Sequence, residues 1–103
     1  MYKLKVSDDL KKFILSLHPE LKRKIKSTLK LLIVEPCSGK PLKDELEGLR
    51  SIRVGKFRII YRLEDPMEIH FVAIGPRSMI YEETYLLIKK ESKMQYNEIL
   101  KDI

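Results

Sequence analysis

The stretch RSIRVGKFRIIYR, residues 50 to 62, carries five cationic side chains and no acidic one within a pattern typical of β-structure. Guanidinium groups stay charged and bind phosphate oxygens through paired hydrogen bonds. Because side chains alternate along a strand, Arg53 should share one face with Ser51, and Arg58 should occupy the same side of the next strand. Like charges on neighbouring strands repel each other unless an anion lies between them. The pattern therefore predicts that Arg53 and Arg58 bind an anion such as phosphate.

A solvated or ion-paired role is the simpler interpretation for part of this charge. An antiparallel sheet commonly leaves one face in water, and for Arg50 and Arg62 the sequence favours this interpretation. Carboxylates that could pair with them follow or precede the strands, at Glu45, Glu47, Glu64 and Glu68. A second basic set is typical of a solvated helix surface, with an additional phosphate-contacting surface as the alternative; it comprises Lys22, Arg23, Lys24, Lys26 and Lys30.

The elements that must position the basic strands have the predicted order β-α-α-β-β-β. Residues 2 to 6 alternate apolar and basic side chains, as a half-buried strand does. Ser7 and Pro19 are typical of helix starts, and the apolar spacing after each predicts an αα-hairpin. Residues 37 to 48 read as a loop into the sheet. The three remaining strands are predicted at residues 49 to 54, 57 to 63 and 68 to 74, and a final helix at about residues 82 to 101.

Length and composition predict one domain over residues 1 to 103, and the predicted element order makes it α+β, with a helical C-terminal extension at residues 89 to 103. Apolar residues make up 44% of the chain and charged residues 35%, which suits a single globule. The formal charge of +6 favours an acidic partner such as nucleic acid, an anionic membrane surface or an acidic protein. Without a spanning segment or a signal peptide, the sequence predicts a cytoplasmic protein that does not bind membranes.

Other kinds of chemistry find little support in the sequence. Cys37 is the single cysteine, so no intrachain disulfide forms, and no histidine near it in sequence would activate it as a nucleophile. His18 and His70 belong to no catalytic motif. No pair of cysteines or histidines has the spacing of metal ligands. We therefore expect neither a metal nor another cofactor.

The arrangement R-x-x-R-V-G-K-F-R-I-I-Y, followed by an apolar strand ending in I-G-P-R and then a tyrosine, resembles the RelE/ParE superfamily of toxins from type II toxin–antitoxin systems. The resemblance covers about residues 2 to 88 and includes the segment P-L-K-x-x-L-x-G-L before the sheet. It implies an α+β fold in which an antiparallel sheet carries two helices on one face and an active concavity on the other.

The resemblance also implies functional residues. Arg53 and Arg58 match cationic positions of the central strands, Arg77 matches an arginine at the end of the last strand, and Tyr81 most nearly matches a tyrosine beyond it. Ser51 stands where relatives carry a second cation, which Arg50 or Lys56 would have to replace. Pro76 and Ser78 also depart from the family pattern. We expect four residues to contact RNA, namely Arg50, Ser51, Lys56 and Lys43.

RelE-like members of the superfamily cut mRNA in the ribosomal A site, in a reaction where the RNA 2′-hydroxyl attacks the adjacent phosphorus. Arg53, Arg58 and Arg77 would stabilise the charged transition state. Tyr81 would transfer a proton or stack on a base. The structural alternatives are that Tyr81 anchors the last helix on the sheet and that Arg77 pairs with Glu82 or Glu83.

Three functions follow from this resemblance. The leading hypothesis is a ribosome-dependent, metal-independent mRNA endoribonuclease that inhibits translation and is held inactive by a cognate antitoxin. The complex would bind operator DNA through the antitoxin. The alternative is a ParE-like poison of DNA gyrase. The third hypothesis is a catalytically inactive binding module, which the departures at Ser51 and Pro76 favour.

Overall fold

The structure is a computed structural model that describes residues 2 to 88 and 96 to 98. It contains three helices and six strands within these ranges, together with short 3₁₀ turns at Pro36–Ser38 and Asp44–Leu46. The elements follow the chain as β1 (Lys3–Ser7), α1 (Asp8–Leu15), α2 (Pro19–Val34), β2 (Lys40–Pro41), β3 (Leu49–Val54), β4 (Phe57–Glu64), β5 (Glu68–Pro76), α3 (Arg77–Ile88) and β6 (Tyr96–Glu98).

Both helices of the predicted hairpin begin at the expected caps. The Ser7 hydroxyl accepts a hydrogen bond from the Leu10 amide, and Asp8 and Asp9 place negative charge in the first turn of α1. His18 caps α2 by accepting from the Glu20 amide, with Pro19 in the first turn. No described helix is long and apolar enough to cross a membrane.

The strands form one mixed sheet in the order β2-β3-β4-β5-β1-β6. The α+β fold class is confirmed, although β1 pairs with β5 in parallel and the sheet is therefore not wholly antiparallel. The helical hairpin is a crossover that lets β3 run in the same direction as β1. The antiparallel pairs β3–β4 and β4–β5 then leave β5 parallel to β1.

Alternation along β3 and β4 separates the two faces of the sheet, as predicted, but the second face, expected to be an open concavity, also carries a buried cluster. The hairpin face packs against α1 and α2, and its core includes Val54, Ile59 and Phe71. The opposite face, which we call the α3 face, carries a smaller cluster made of Leu49, Ile60, Val72, Ala73 and Ile80. Each core therefore lies on its own side of the basic strands.

The C-terminal part of the chain differs from the prediction. Helix α3 begins at Arg77, before the expected start at residue 82. Residues 96 to 98 form a strand that pairs antiparallel with β1, so the helix prediction is wrong there. Pairing covers the outer edge of β1, which would otherwise expose unpaired backbone groups. The rest of the predicted extension, residues 89 to 95 and 99 to 103, lies outside the described residues.

Candidate active site

Arg53 and Arg58 lie directly opposite each other on β3 and β4. Cross-strand neighbours have Cβ atoms about 5 Å apart. Both side chains extend from the α3 face, because their neighbours Val54 and Ile59 are buried in the core of the hairpin face. The prediction that the two arginines share one face is confirmed.

The two guanidinium groups turn away from each other. Nη1 of Arg58 donates to the Ser51 hydroxyl at 3.3 Å, toward the start of β3. Nε of Arg53 donates to the Gly55 carbonyl at 3.4 Å, toward the hairpin turn. Neither group contacts a carboxylate within the described residues. Repulsion is thus reduced by separation, and both positive charges remain available to an anion.

Ser51 has a defined role where relatives carry a cation. Its side chain is almost fully buried, with 3% exposure, and its hydroxyl orients Arg58. Lys40 lies opposite Ser51 on β2 and is exposed, so it extends from the same face. Our sequence analysis missed Lys40, because a strand of two residues has no periodicity that distinguishes it from a loop. Lys40 is therefore a candidate for the cation that Ser51 does not supply.

The structure does not bring Arg50 together with these residues. Arg50 alternates to the hairpin face, where its Nη1 donates to the carbonyls of Gly39 at 2.8 Å and Cys37 at 3.3 Å. Buried Tyr61 holds the same segment, since its hydroxyl donates to the Pro36 carbonyl at 2.7 Å and accepts from the Gly39 amide at 2.9 Å. Burial raises the pKa of the Tyr61 phenol. Arg50 thus fixes the backbone that leads into β2.

Gly39 is needed for this arrangement. A Cβ at this position would lie 2.6 Å from the Tyr61 hydroxyl oxygen and 2.9 Å from the Ser51 carbonyl oxygen. A side chain there would force the segment before β2 away from the sheet. The position of Lys40 therefore depends on a glycine one residue earlier.

Lys43 and Lys56, which were predicted to contact RNA, are both exposed and lie in different segments of the chain. Lys56 lies in the β3–β4 turn, where Gly55 has a φ of +61° that fits the first position of a type II′ turn. Lys43 belongs to a segment whose Leu42 and Leu46 pack against the cluster of the α3 face. Lys43 is thereby held on the α3 face, and Lys56 at the hairpin end.

Helix α3 begins at the same end of the sheet as the arginine pair. Gly75 is the β5 partner of Arg58, and Arg77 follows two residues later as the first residue of α3. Tyr81 is half-buried and packs against the cluster of the α3 face. This packing agrees with the alternative in which Tyr81 anchors the helix.

A carboxylate that the sequence analysis did not assign to the site also lies here. Oε2 of Glu83 is 3.7 Å from the position that a Cβ on Gly75 would take. Its spacing of three residues from buried Ile80 is the signal that would have indicated a sheet-facing position. Glu83 also lines a pocket with Asp9 and Phe13 of α1, so it lies near β5 without a described contact to Arg58.

The far end of β4 has a different arrangement. Arg62 forms an ion pair with Glu64, and its Nη2 lies 3.5 Å from Nδ1 of His70. Nε2 of His70 is 2.8 Å from a Glu68 oxygen, and this hydrogen bond lowers the pKa of the Glu68 carboxyl. The ion-paired interpretation of Arg62 is confirmed.

Metal ligation has no candidate in the described part of the chain. Residues 2 to 88 and 96 to 98 contain no group of three or more His, Cys, Asp and Glu side chains able to hold an ion.

Comparison with known proteins gives one family and a consistent fold. The family model "ParE toxin of type II toxin-antitoxin system, parDE" matches residues 1 to 81. A segment is 41% identical over 44 residues to Toxin RelE of Mycobacterium tuberculosis, covering 42% of this chain and 45% of that protein. The match thus spans less than half of the length of this curated relative.

Solved structures extend the similarity to most of the chain. The toxin–antitoxin complex RelBE2 of Mycobacterium tuberculosis contains a chain with TM-score 0.64 and 26% identity, covering 74% of this chain and 98% of that one. The RelE–RelB complex of Pyrococcus horikoshii gives TM-score 0.61 at 23% identity, with coverages of 74% and 94%. A mutant of Escherichia coli toxin RelE in the free state gives TM-score 0.70 at 17% identity, with coverages of 87% and 96%. The last two likenesses, being below 25% identity, bear on the fold alone. The chain therefore belongs to the RelE/ParE superfamily of toxins of type II toxin–antitoxin systems.

Proposed function

We propose that the protein is a RelE-like, metal-independent mRNA endoribonuclease that acts on the ribosome and inhibits translation. The observation that carries this proposal is the pair formed by Arg53 and Arg58, which occupy opposite positions on adjacent strands without a carboxylate partner in the described chain. Two unneutralised guanidinium groups on one face are suited to a phosphate that gains charge during a reaction.

The proposed reaction is an internal transesterification. The RNA 2′-hydroxyl loses its proton and its oxygen forms a bond to the adjacent phosphorus, while the bond from phosphorus to the departing 5′-oxygen breaks. The products are a 2′,3′-cyclic phosphate and a 5′-hydroxyl. Arg53, Arg58 and Arg77 stabilise the extra negative charge on the phosphorus centre. No oxidant, reductant or metal takes part in these steps.

Proton transfer needs one base and one acid near the scissile phosphate. We assign both roles to Tyr81. Its phenol oxygen would accept the proton of the 2′-hydroxyl while its own proton passes to the departing 5′-oxygen. Its half-buried ring would keep the hydroxyl at the edge of the site. Lys40, Lys43 and Lys56 then contact flanking phosphates.

A second candidate function is poisoning of DNA gyrase. The family model that matches residues 1 to 81 describes ParE toxins, and this observation favours the gyrase target. The segment shared with Toxin RelE favours the ribonuclease. The third hypothesis, an inactive binding module, requires that the buried Ser51 cannot replace the cation of relatives.

We also propose a cognate antitoxin as the partner of this chain. Two similar structures are toxin–antitoxin complexes. An acidic or amphipathic antitoxin segment would complement the formal charge of +6 and cover the basic face. Operator DNA would bind through the antitoxin.

Brief expression followed by mapping of new mRNA 5′ ends and gyrase-dependent DNA breaks tests the proposal. We expect codon-spaced mRNA cuts in cells with the wild-type chain and none with Arg58→Gln. Arg62→Gln, on the same strand and face, is the matched control and should leave the cuts in place. DNA breaks without mRNA cuts would replace the ribonuclease by the gyrase poison, and neither signal would favour the binding module.

A further inference from the structure

An open hollow of about 760 Å³ lies between the first turns of α2 and the β3–β4 turn. Its volume is within the roughly 300 to 1,000 Å³ of typical small-ligand sites. Residues of the hairpin turn and of the start of α2 line it, so it is formed where the helical hairpin meets the tip of the strands. Arg53 and Lys56 belong both to this hollow and to the proposed site, whereas its other lining residues have no role in the proposed reaction.

Positive charge dominates the hollow. Lys24, Arg53 and Lys56 line it together with a single acid, Glu20, which gives three cations against one carboxylate. None of the three cations forms an ion pair within the described residues. An anionic group entering the hollow would therefore be attracted.

The hollow also has an apolar wall, which an inorganic anion would not need. Phe57 and Leu21 are half-buried, pack against the core of the hairpin face and still line the hollow. An aromatic ring beside cations is the combination that binds unpaired nucleotides, since bases stack on the ring and phosphates contact the cations.

His18 adds a polar group of fixed orientation. Its Nδ1 accepts from the Glu20 amide at 3.2 Å, so in the neutral ring the proton resides on Nε2. That N–H makes no hydrogen bond to another described residue and belongs to a side chain that lines the hollow. It is a donor suited to an acceptor on the edge of a base.

We infer that this hollow binds one unpaired nucleotide of the RNA strand, flanking the nucleotides at the Arg53–Arg58 pair. Its base stacks on Phe57 and its phosphate lies between Lys24 and Lys56. Arg53 connects the two places, because it is opposite Arg58 on the sheet and also lines the hollow. The identity of the strand as RNA rests on the proposed function.

Photocrosslinking locates the nucleotide directly. Single-stranded RNA with 2′-O-methyl groups throughout cannot be cleaved, and one 5-iodouridine is moved along it before irradiation with the full chain. We expect one position to crosslink to a peptide that contains Phe57 or His18. Crosslinks confined to other surfaces would overturn the inference.

Binding of the same RNA tests the charge and the stacking separately. Lys24→Gln should weaken binding about threefold and reduce the salt slope by about 0.7, because one phosphate contact is lost. Lys30→Gln, an exposed lysine of the same helix that does not line the hollow, is the matched control. An abasic nucleotide at the crosslinking position should weaken wild-type binding about tenfold. Equal effects of both lysine variants, or no effect of the abasic nucleotide, would contradict the inference.

The inference and the proposed function fail in different ways. Cleavage of ribosome-bound mRNA without a crosslink at Phe57 or His18 would refute the nucleotide site and leave the ribonuclease. A crosslink there without cleavage would refute the ribonuclease and leave the site. Equal competition by duplex DNA of the same length would show that the hollow does not select an unpaired nucleotide.

Discussion

The two ends of β4 carry the same kind of side chain on the same face but use it differently. At one end Arg58 donates to the Ser51 hydroxyl, has no carboxylate partner among the described residues and lies opposite Arg53 on the sheet. At the other end Arg62 forms an ion pair with Glu64 and lies beside His70, which is bonded to Glu68. An arginine that is paired with a carboxylate stabilises the local structure, whereas an arginine without such a partner can bind an anionic ligand.

This difference makes sequence neighbours unequal in function. Arg62 follows Arg58 by four positions, and both side chains extend from the α3 face. What distinguishes them is the partner strand: Gly75 lies opposite Arg58, and His70 lies opposite Arg62. The residue on the partner strand, more than the residue type, therefore distinguishes the surroundings of the two arginines.

The largest effect on cleavage is expected when the charge of Arg58, at the end of β4 without a carboxylate partner in the described chain, is removed. Arg58→Gln should lower the rate of mRNA cleavage by about a hundredfold or more, as loss of one transition-state donor commonly does. Single-turnover cleavage on programmed ribosomes measures the change, and Arg62→Gln should cleave as the wild type does. Similar losses in both variants would mean that the two ends are not functionally distinct.

A smaller effect is expected from the residue that orients Arg58. Ser51→Ala removes the hydroxyl that accepts from Nη1 and keeps the packing of a small buried side chain. We expect cleavage to fall about fivefold to tenfold, since the guanidinium is still present but less well placed. The same cleavage assay measures it. Arg58→Gln combined with Ser51→Ala should be no worse than Arg58→Gln alone, because both changes act through one group.

Much of this comparison was predictable from the sequence, because it depends on periodicity. Alternation along residues 49 to 63 assigned Val54 and Ile59 to one face and Arg53 and Arg58 to the other. The caps at Ser7 and Pro19 gave the helical hairpin. Such features are local, and each residue carries its own signal.

The parts that the sequence did not predict depend on long-range pairing. Lys40 joins the site only because β2 pairs with β3, and Tyr96–Glu98 is a strand only because the edge of β1 is available. The role of Arg50 was also beyond local patterns, since its partners are carbonyl groups of residues 37 and 39. Glu83 lies near Gly75 through the packing of α3 on β5.

At the end of β4 where Arg62 is paired with Glu64, loss of charge should affect stability instead of cleavage. Arg62→Gln removes the ion pair with Glu64 and should lower the free energy of unfolding by about 1 kcal/mol or less, because the pair is partly exposed. Urea denaturation followed by circular dichroism measures the difference. Arg53→Gln, at an exposed side chain without an ion pair in the described chain, should leave stability unchanged or raise it by relieving repulsion.

The smallest expected effect is on the free energy of unfolding at acidic pH, and it concerns Glu68 beside Arg62 and His70. The hydrogen bond from His70 lowers the pKa of Glu68 in the folded protein, so its contribution to stability is present above the unfolded pKa of about 4.3. That contribution is lost as the pH falls through the lower folded pKa, because the carboxylate then binds a proton. Glu68→Gln should therefore be less stable than wild type near neutral pH, and the difference should shrink in acid. Urea denaturation at a series of pH values tests this, with Glu20→Gln as the control for an acid whose carboxylate forms no ion pair in the described chain. A difference that does not change with pH would show that charge on Glu68 does not stabilise this end, and the contrast between Arg58 and Arg62 would then rest on the ion pair between Arg62 and Glu64.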